Sequence, residues 1–169
     1  SVAPDCPRVV ASHRWTSVSL YSWSGGAWHE QVSDPSVLAG KAVLGVCAIG
    51  NPEGYYAMLG AHKARVVDRL TLPDHARYTP RVAQTLYQQA QQSGAALICM
   101  TAKDWVKAAA VLGEPCPCPV AVPRLGLDPG SGAQALRSLL GEISRPCAVS
   151  RASGGHGGPG PAATPTISP

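Results

Sequence analysis

The chain has 169 residues, the length of a single domain, and its 45% hydrophobic content is enough for a core, which excludes wholesale disorder. Charged residues make up only 14%, against about 25% in an average domain, and 18 Gly with 16 Pro make the sequence rich in turns. A net charge of +4 with no run of Lys or Arg argues against a nucleic-acid partner, and no stretch of about 18 apolar residues is present to span a membrane.

In chain order, the first 40 residues read as β-structure. Thr16 to Tyr21 alternates apolar and polar positions, Ser24-Gly25-Gly26 marks a turn, and Ala27 to Val32 returns as the second strand of a hairpin. Asp34-Pro35 and Gly40 form a connection. From Lys41 the texture changes. Lys41 to Ile49 is a continuous apolar run, as in a parallel strand buried on both faces. Gly50-Asn51-Pro52 closes it, with Asn51 placed to cap a helix and Pro52 at its first position, running to about His62. A second parallel strand follows over Ala64 to Leu72. Thr79 and Pro80 then open a helix whose Val82, Leu86 and Ala90 form a stripe, and Ser93-Gly94 ends it. Ala95 to Met100 is the third parallel strand, Thr101 caps a short helix through Trp105 and Ala110, Val120 to Leu127 is the fourth, and Ser131 to Ile143 is a last helix.

Strands alternating with helices predict an α/β fold: a parallel sheet of four strands in the order 2-1-3-4, flanked by helices and preceded by the hairpin. The expected divisions are 1–40 for the hairpin and connection, 41–145 for a Rossmann-like domain, and 146–169 for a disordered, low-complexity tail rich in Gly and Pro. Six cysteines show no C-x-x-C pairing, and Cys47 and Cys99 sit in apolar runs, so structural thiols in an intracellular setting are expected. Trp15, Trp23 and Trp28 fall together in the hairpin region, as core or hairpin packing or as a membrane-interface or partner patch.

In an open parallel sheet, ligands bind beyond the carboxyl ends of the strands. That rule selects three loops: Gly50 to Glu53, Pro73 to Tyr78, and Thr101 to Asp104. The second is the richest. Asp74 can orient the imidazole of His75 for proton transfer, and Arg77 can meet a phosphate or carboxylate; the same residues equally suit a capped turn with a solvated histidine. Lys103 and Asp104 open a helix, either as an anion contact or as an ordinary helix start. Asn51 stands in a turn too poor in glycine for a dinucleotide loop, and no G-x-x-x-x-G-K-S/T phosphate loop occurs. No histidine has metal-ligand spacing to another, so no metal site is expected.

At these loops the sequence resembles the carboxyl-terminal half of the tetraacyldisaccharide 4'-kinases, the lipid A kinases of Gram-negative bacteria. That family shows G-I-G-N-P, then F-P-D-H-H-x-Y/F, then T-E-K-D. Here the stretches read Ala48-Ile49-Gly50-Asn51-Pro52, Leu72-Pro73-Asp74-His75-Ala76-Arg77-Tyr78, and Thr101-Ala102-Lys103-Asp104. The resemblance extends from about Val9 to Ile143. It implies transfer of the ATP γ-phosphate to the 4'-hydroxyl of a lipid disaccharide 1-phosphate, with Mg2+, at the cytoplasmic face of the bacterial inner membrane. It implies catalytic roles for Asp74 and His75, and substrate or cleft positioning for Asn51, Arg77, Lys103 and Asp104. ATP and Mg2+ would be held by an amino-terminal P-loop domain missing from this chain, which is then expected to be inactive alone. Ala48, Leu72, Ala76 and Ala102 depart from the family pattern. A non-catalytic binding or interaction module that keeps the fold is the alternative reading.

Overall fold

The computed structural model describes residues 11–113 and 115–143. The tail expected over 146–169 lies outside the described residues. Twelve elements follow in order: strands β1 (Ser12–Ser24) and β2 (Ala27–Ser33), a 3-10 turn (Pro35–Leu38), β3 (Ala42–Cys47), α1 (Pro52–Ala61), β4 (Arg65–Thr71), α2 (Pro80–Gln92), β5 (Leu97–Met100), α3 (Ala102–Ala108), β6 (Val120–Asp128), a second 3-10 turn (Gly130–Gly132) and α4 (Ala133–Ile143).

The α/β class stands, but the sheet is larger than the four parallel strands expected. It has six strands in the order β2-β1-β6-β5-β3-β4. The strands read from the alternating half of the sequence, β3 to β6, are mutually parallel, and the hairpin extends the same sheet. β1 pairs antiparallel with β6 from Ser12 opposite Asp128 to Tyr21 opposite Val120, so the sheet is mixed. The physical reason is length: β1 runs for 13 residues, so Val18 to Ser24 can pair with β2 on one edge while Ser12 to Tyr21 pairs with β6 on the other. Alternation in the sequence reveals a strand but not its neighbour.

Both faces of the central strands are covered, which accounts for their unbroken apolar sequence. On one face Leu44, Val46, Ile98, Met100 and Val120 meet Leu86 and Ala90 of α2 and Trp105 and Ala108 of α3. On the other, Val43, Cys47, Leu97 and Cys99 meet Tyr55, Tyr56 and Leu59 of α1, with Trp15 and Val18 of β1. Gly45 faces α1, where an added Cβ would stand 2.8 Å from the Tyr56 ring. That ring is held by a 2.8 Å hydrogen bond between its hydroxyl and Thr71, so the glycine sets how closely α1 lies on the sheet.

The three hairpin tryptophans do not form one cluster. Register shifts between Trp15 and Ser17, so Trp15 turns to the α1 face, where its ring stacks on His62 at 4.9 Å. Trp23 and Trp28 meet edge to face at 5.2 Å on the opposite side, and Trp28 reaches Trp105 of α3. Cys47, Cys99, Cys116 and Cys118 are free thiols.

Candidate functional site at the carboxyl ends of the strands

The direction of the crossovers reverses at β3: β4 lies on one side of it and β5 on the other. Loops leaving the carboxyl ends of such neighbours diverge and leave a crevice. Three short segments surround it, and each is shaped by its own sequence. After β3, the Asn51 side chain accepts a hydrogen bond from Gly54 N–H at 3.0 Å and Pro52 starts α1, which fixes the exit of the chain. After β4, Ala76 N–H closes a turn on the Pro73 carbonyl at 3.0 Å. Within that turn His75 takes a φ of +61°, an uncommon conformation for a residue with a Cβ. The Asp74 carboxylate supports it by accepting the His75 N–H at 2.9 Å.

The third segment brings the cation. Lys103, in the first turn of α3, donates from Nζ to Oδ1 of Asp74 at 3.0 Å, joining two loops that are 29 residues apart. This hydrogen bond is the main reason the Asp74 carboxyl lies below the usual range; the His75 N–H and the neighbouring positive charges act in the same direction. Asp74 is therefore an ionised acceptor at neutral pH. Its Oδ2 stands 3.7 Å from Nε2 of His75, whose ring is 79% exposed to the crevice and solvent. An ionised carboxylate beside an accessible imidazole can orient that ring.

Asp104 stands apart from this surface group. It is fully buried, with Oδ2 accepting from Thr101 Oγ1 at 2.6 Å and from Ala48 N–H at 3.1 Å. It thus ties the start of α3 to the end of β3 beneath the site and is out of a ligand's reach. Its Oδ1 and the buried hydroxyl of Tyr78 have no hydrogen-bond partner. Burial, reinforced by the Asp104 carboxylate, pushes the Tyr78 phenol well above its ordinary pKa, so Tyr78 is a neutral hydroxyl beneath the second loop. Arg77 is exposed and makes no ion pair among the described residues. Of the six residues picked out in the sequence, the structure gathers Asp74, His75 and Lys103 directly, sets Asn51 on the same rim, buries Asp104 below and leaves Arg77 exposed in the second loop.

The sequence reading missed a cleft of about 620 Å³ that opens beside Lys103 and Asn51 and is walled by Trp15, Tyr55, Met58 and Leu125. The signal for it lay in β6, where Leu125 lines the cleft and, with Leu127, stays exposed at the carboxyl end of the strand. As for a nucleotide or its magnesium ion, the residues present do not make a cradle. No group of three or more His, Cys, Asp or Glu among the described residues is placed to hold a metal, and Asp74 is already engaged by Lys103.

Comparison with known proteins places this geometry in context. The family model described as tetraacyldisaccharide-1-P 4'-kinase matches residues 7–141. A tetraacyldisaccharide 4'-kinase of Pelobacter propionicus is 32% identical over 143 residues, 83% of this chain and 38% of the relative. Those of Brucella anthropi and Gluconobacter oxydans are 34% identical over 83 residues and 39% over 70, covering 24% and 21% of the relatives. The chain thus spans less than two-fifths of the length of these proteins. No solved structure matches it. With the match running through all three loops of the crevice, the chain belongs to the tetraacyldisaccharide-1-P 4'-kinase family.

Proposed function

We propose that this chain forms one wall of the active cleft of an ATP-dependent lipid kinase, which phosphorylates the 4'-hydroxyl of a tetraacyldisaccharide 1-phosphate in lipid A biosynthesis. The observation that carries the reading is the meeting of Asp74, His75 and Lys103 at the strand-end crevice in a member of this family. His75 takes the proton of the attacking hydroxyl as the new O–P bond forms and the bond to the leaving ADP breaks. Asp74 orients the imidazole and stabilises the imidazolium that results, and Lys103 holds Asp74 ionised. ATP and Mg2+ are held by a P-loop domain outside these 169 residues, since phosphoryl transfer depends on a phosphate cradle that this sequence does not contain. We also propose, on the resemblance to this family alone, that the reaction takes place at the cytoplasmic face of the bacterial inner membrane.

The test joins this chain to the P-loop half of a relative and follows transfer of labelled phosphate from ATP to the lipid acceptor. Turnover is expected in the joined protein and not in the chain alone. His75→Ala should lower kcat by about 10²–10⁴-fold, as for loss of a general base. Robust turnover by the isolated chain, or full turnover with alanine at position 75, would overturn the assignment. A joined protein that binds the lipid but never transfers phosphate would favour a non-catalytic interaction module.

A further inference from the structure

Away from the crevice stand two thiols that the phosphoryl-transfer reading does not use. Cys116 and Cys118 lie in the loop between α3 and β6, and β6 runs parallel to β5. They therefore sit at the amino ends of the strands, the opposite end of the sheet from Asp74 and His75. The segment reads Pro115-Cys116-Pro117-Cys118-Pro119. A proline after each cysteine restricts it to extended backbone, and the ring between them fixes its own φ, so the thiols are carried on a stiff segment. Both ends of the loop are pinned. The Tyr87 hydroxyl accepts the Gly113 N–H at 2.8 Å and donates to the Gly113 carbonyl at 3.0 Å, while the Pro119 carbonyl accepts the Ile98 N–H at 3.0 Å. Between these pins the Cys116 thiol turns toward its neighbour, donating to the Cys118 carbonyl at 3.2 Å. Both side chains pack half-buried against the core on the face of α2 and α3.

The donor set narrows the ligand. Among the described residues no histidine, carboxylate or further thiol joins the two sulfurs as a third group. They do not make the three- or four-ligand set of zinc, and they offer no oxygens to a hard cation. Two polarizable sulfurs in apolar surroundings suit a soft monovalent ion that is satisfied by two ligands. A disulfide is disfavoured, because it needs the two Cβ atoms within about 4.5 Å and the prolines oppose the tight turn that would bring them there. We infer that Cys116 and Cys118 form a two-sulfur site for copper(I). Binding exchanges two S–H protons for one ion: two thiols and Cu+ give one Cys–S–Cu–S–Cys unit with a single negative charge and two released protons, and copper keeps its oxidation state. Burial raises both thiols and so opposes a pair of bare thiolates at this place; the bound Cu+ cancels one of their two charges.

The test is anaerobic titration of the reduced full chain with copper(I) in competition with bathocuproine disulfonate, a coloured chelator. A chain carrying Cys6→Ser and Cys147→Ser, which removes the thiols outside the described residues, should still hold one copper(I). X-ray absorption at the copper edge should show two sulfur neighbours and no nitrogen. Cys116→Ser and Cys118→Ser, each at a half-buried position, should keep the far-ultraviolet spectrum of the fold. Each should weaken copper(I) by more than the roughly 10–100-fold that loss of an outer partner of a metal ligand costs. Equimolar zinc should leave the copper in place. No copper held against the chelator, undiminished affinity in both serine variants, or displacement by zinc would overturn the inference. ATP and the lipid acceptor take no part in this experiment, so its result and the roles of Asp74 and His75 stand or fall separately.

Discussion

Replacing Asp104 by alanine tests whether the three loops are held from below. The substitution removes the acceptor of two hydrogen bonds, from Ala48 N–H at 3.1 Å and Thr101 Oγ1 at 2.6 Å, at a position with no solvent access. The Ala48 N–H is buried and has no water to turn to, so its orphaning costs about 1–3 kcal/mol. The Thr101 hydroxyl can rotate, and weakening of its cap costs about 1 kcal/mol. Removing Oδ1, which is buried without a partner, offsets a fraction of this. The expected net loss is about 3 kcal/mol, read as a lower urea midpoint at unchanged m-value. Asp104→Asn keeps one acceptor for Ala48 and presents an amide donor toward the Tyr78 hydroxyl, so it should cost less than about 1 kcal/mol. A loss below about 1 kcal/mol for alanine, or equal losses for alanine and asparagine, would refute the idea that the acceptor is what matters.

Three further outcomes follow from the same structure. The Asp74 carboxyl titrates below its ordinary value of about 3.9, so its contribution to stability is complete above that pH and disappears as pH falls through the lower folded value. Carbon-13 NMR should show the titration returning toward the ordinary value in Lys103→Met, and an unmoved titration would contradict the ion pair. Gly45→Ala places a methyl against a tyrosine ring anchored to Thr71, an overpacking expected to cost about 1–3 kcal/mol; an unchanged melting curve would show that α1 can shift freely. Burial pushes the thiols of Cys118 and Cys99 up to about 11 and about 12, so both should resist iodoacetamide at pH 8 in the folded protein and react once urea unfolds it; rapid labelling of the native chain would argue against the packing around β5.

Local chemistry made much of the site legible. Asn51, Thr79 and Thr101 cap their helices as expected, because a short polar side chain before a first-turn N–H acts within three residues. The strand-end rule then selected loops that do converge. Non-local facts were less visible. Asp104 looks in sequence like any acidic residue in a first turn, and only the approach of Ala48, 56 residues earlier, makes it a buried tie. Lys103 meets Asp74 because β3, lying between β4 and β5, sets the distance between their ends, which no spacing in the sequence encodes. Proximity along the chain groups the tryptophans, whereas the register shift after Trp15 sends that ring to one face and Trp23 to the other.

The antiparallel pairing of β1 with β6 determines on which side the polypeptide enters. Ser12 lies opposite Asp128, at the carboxyl end of a strand parallel to β3 and β5, so the chain comes in on the crevice side while the hairpin tip at Gly25 and Gly26 points away. A P-loop domain tethered ahead of Ser12, as proposed above, starts on the crevice side of the sheet, the side on which Asp74 and His75 lie. Lengthening that tether should lower the effective concentration of one half at the other without altering a single contact.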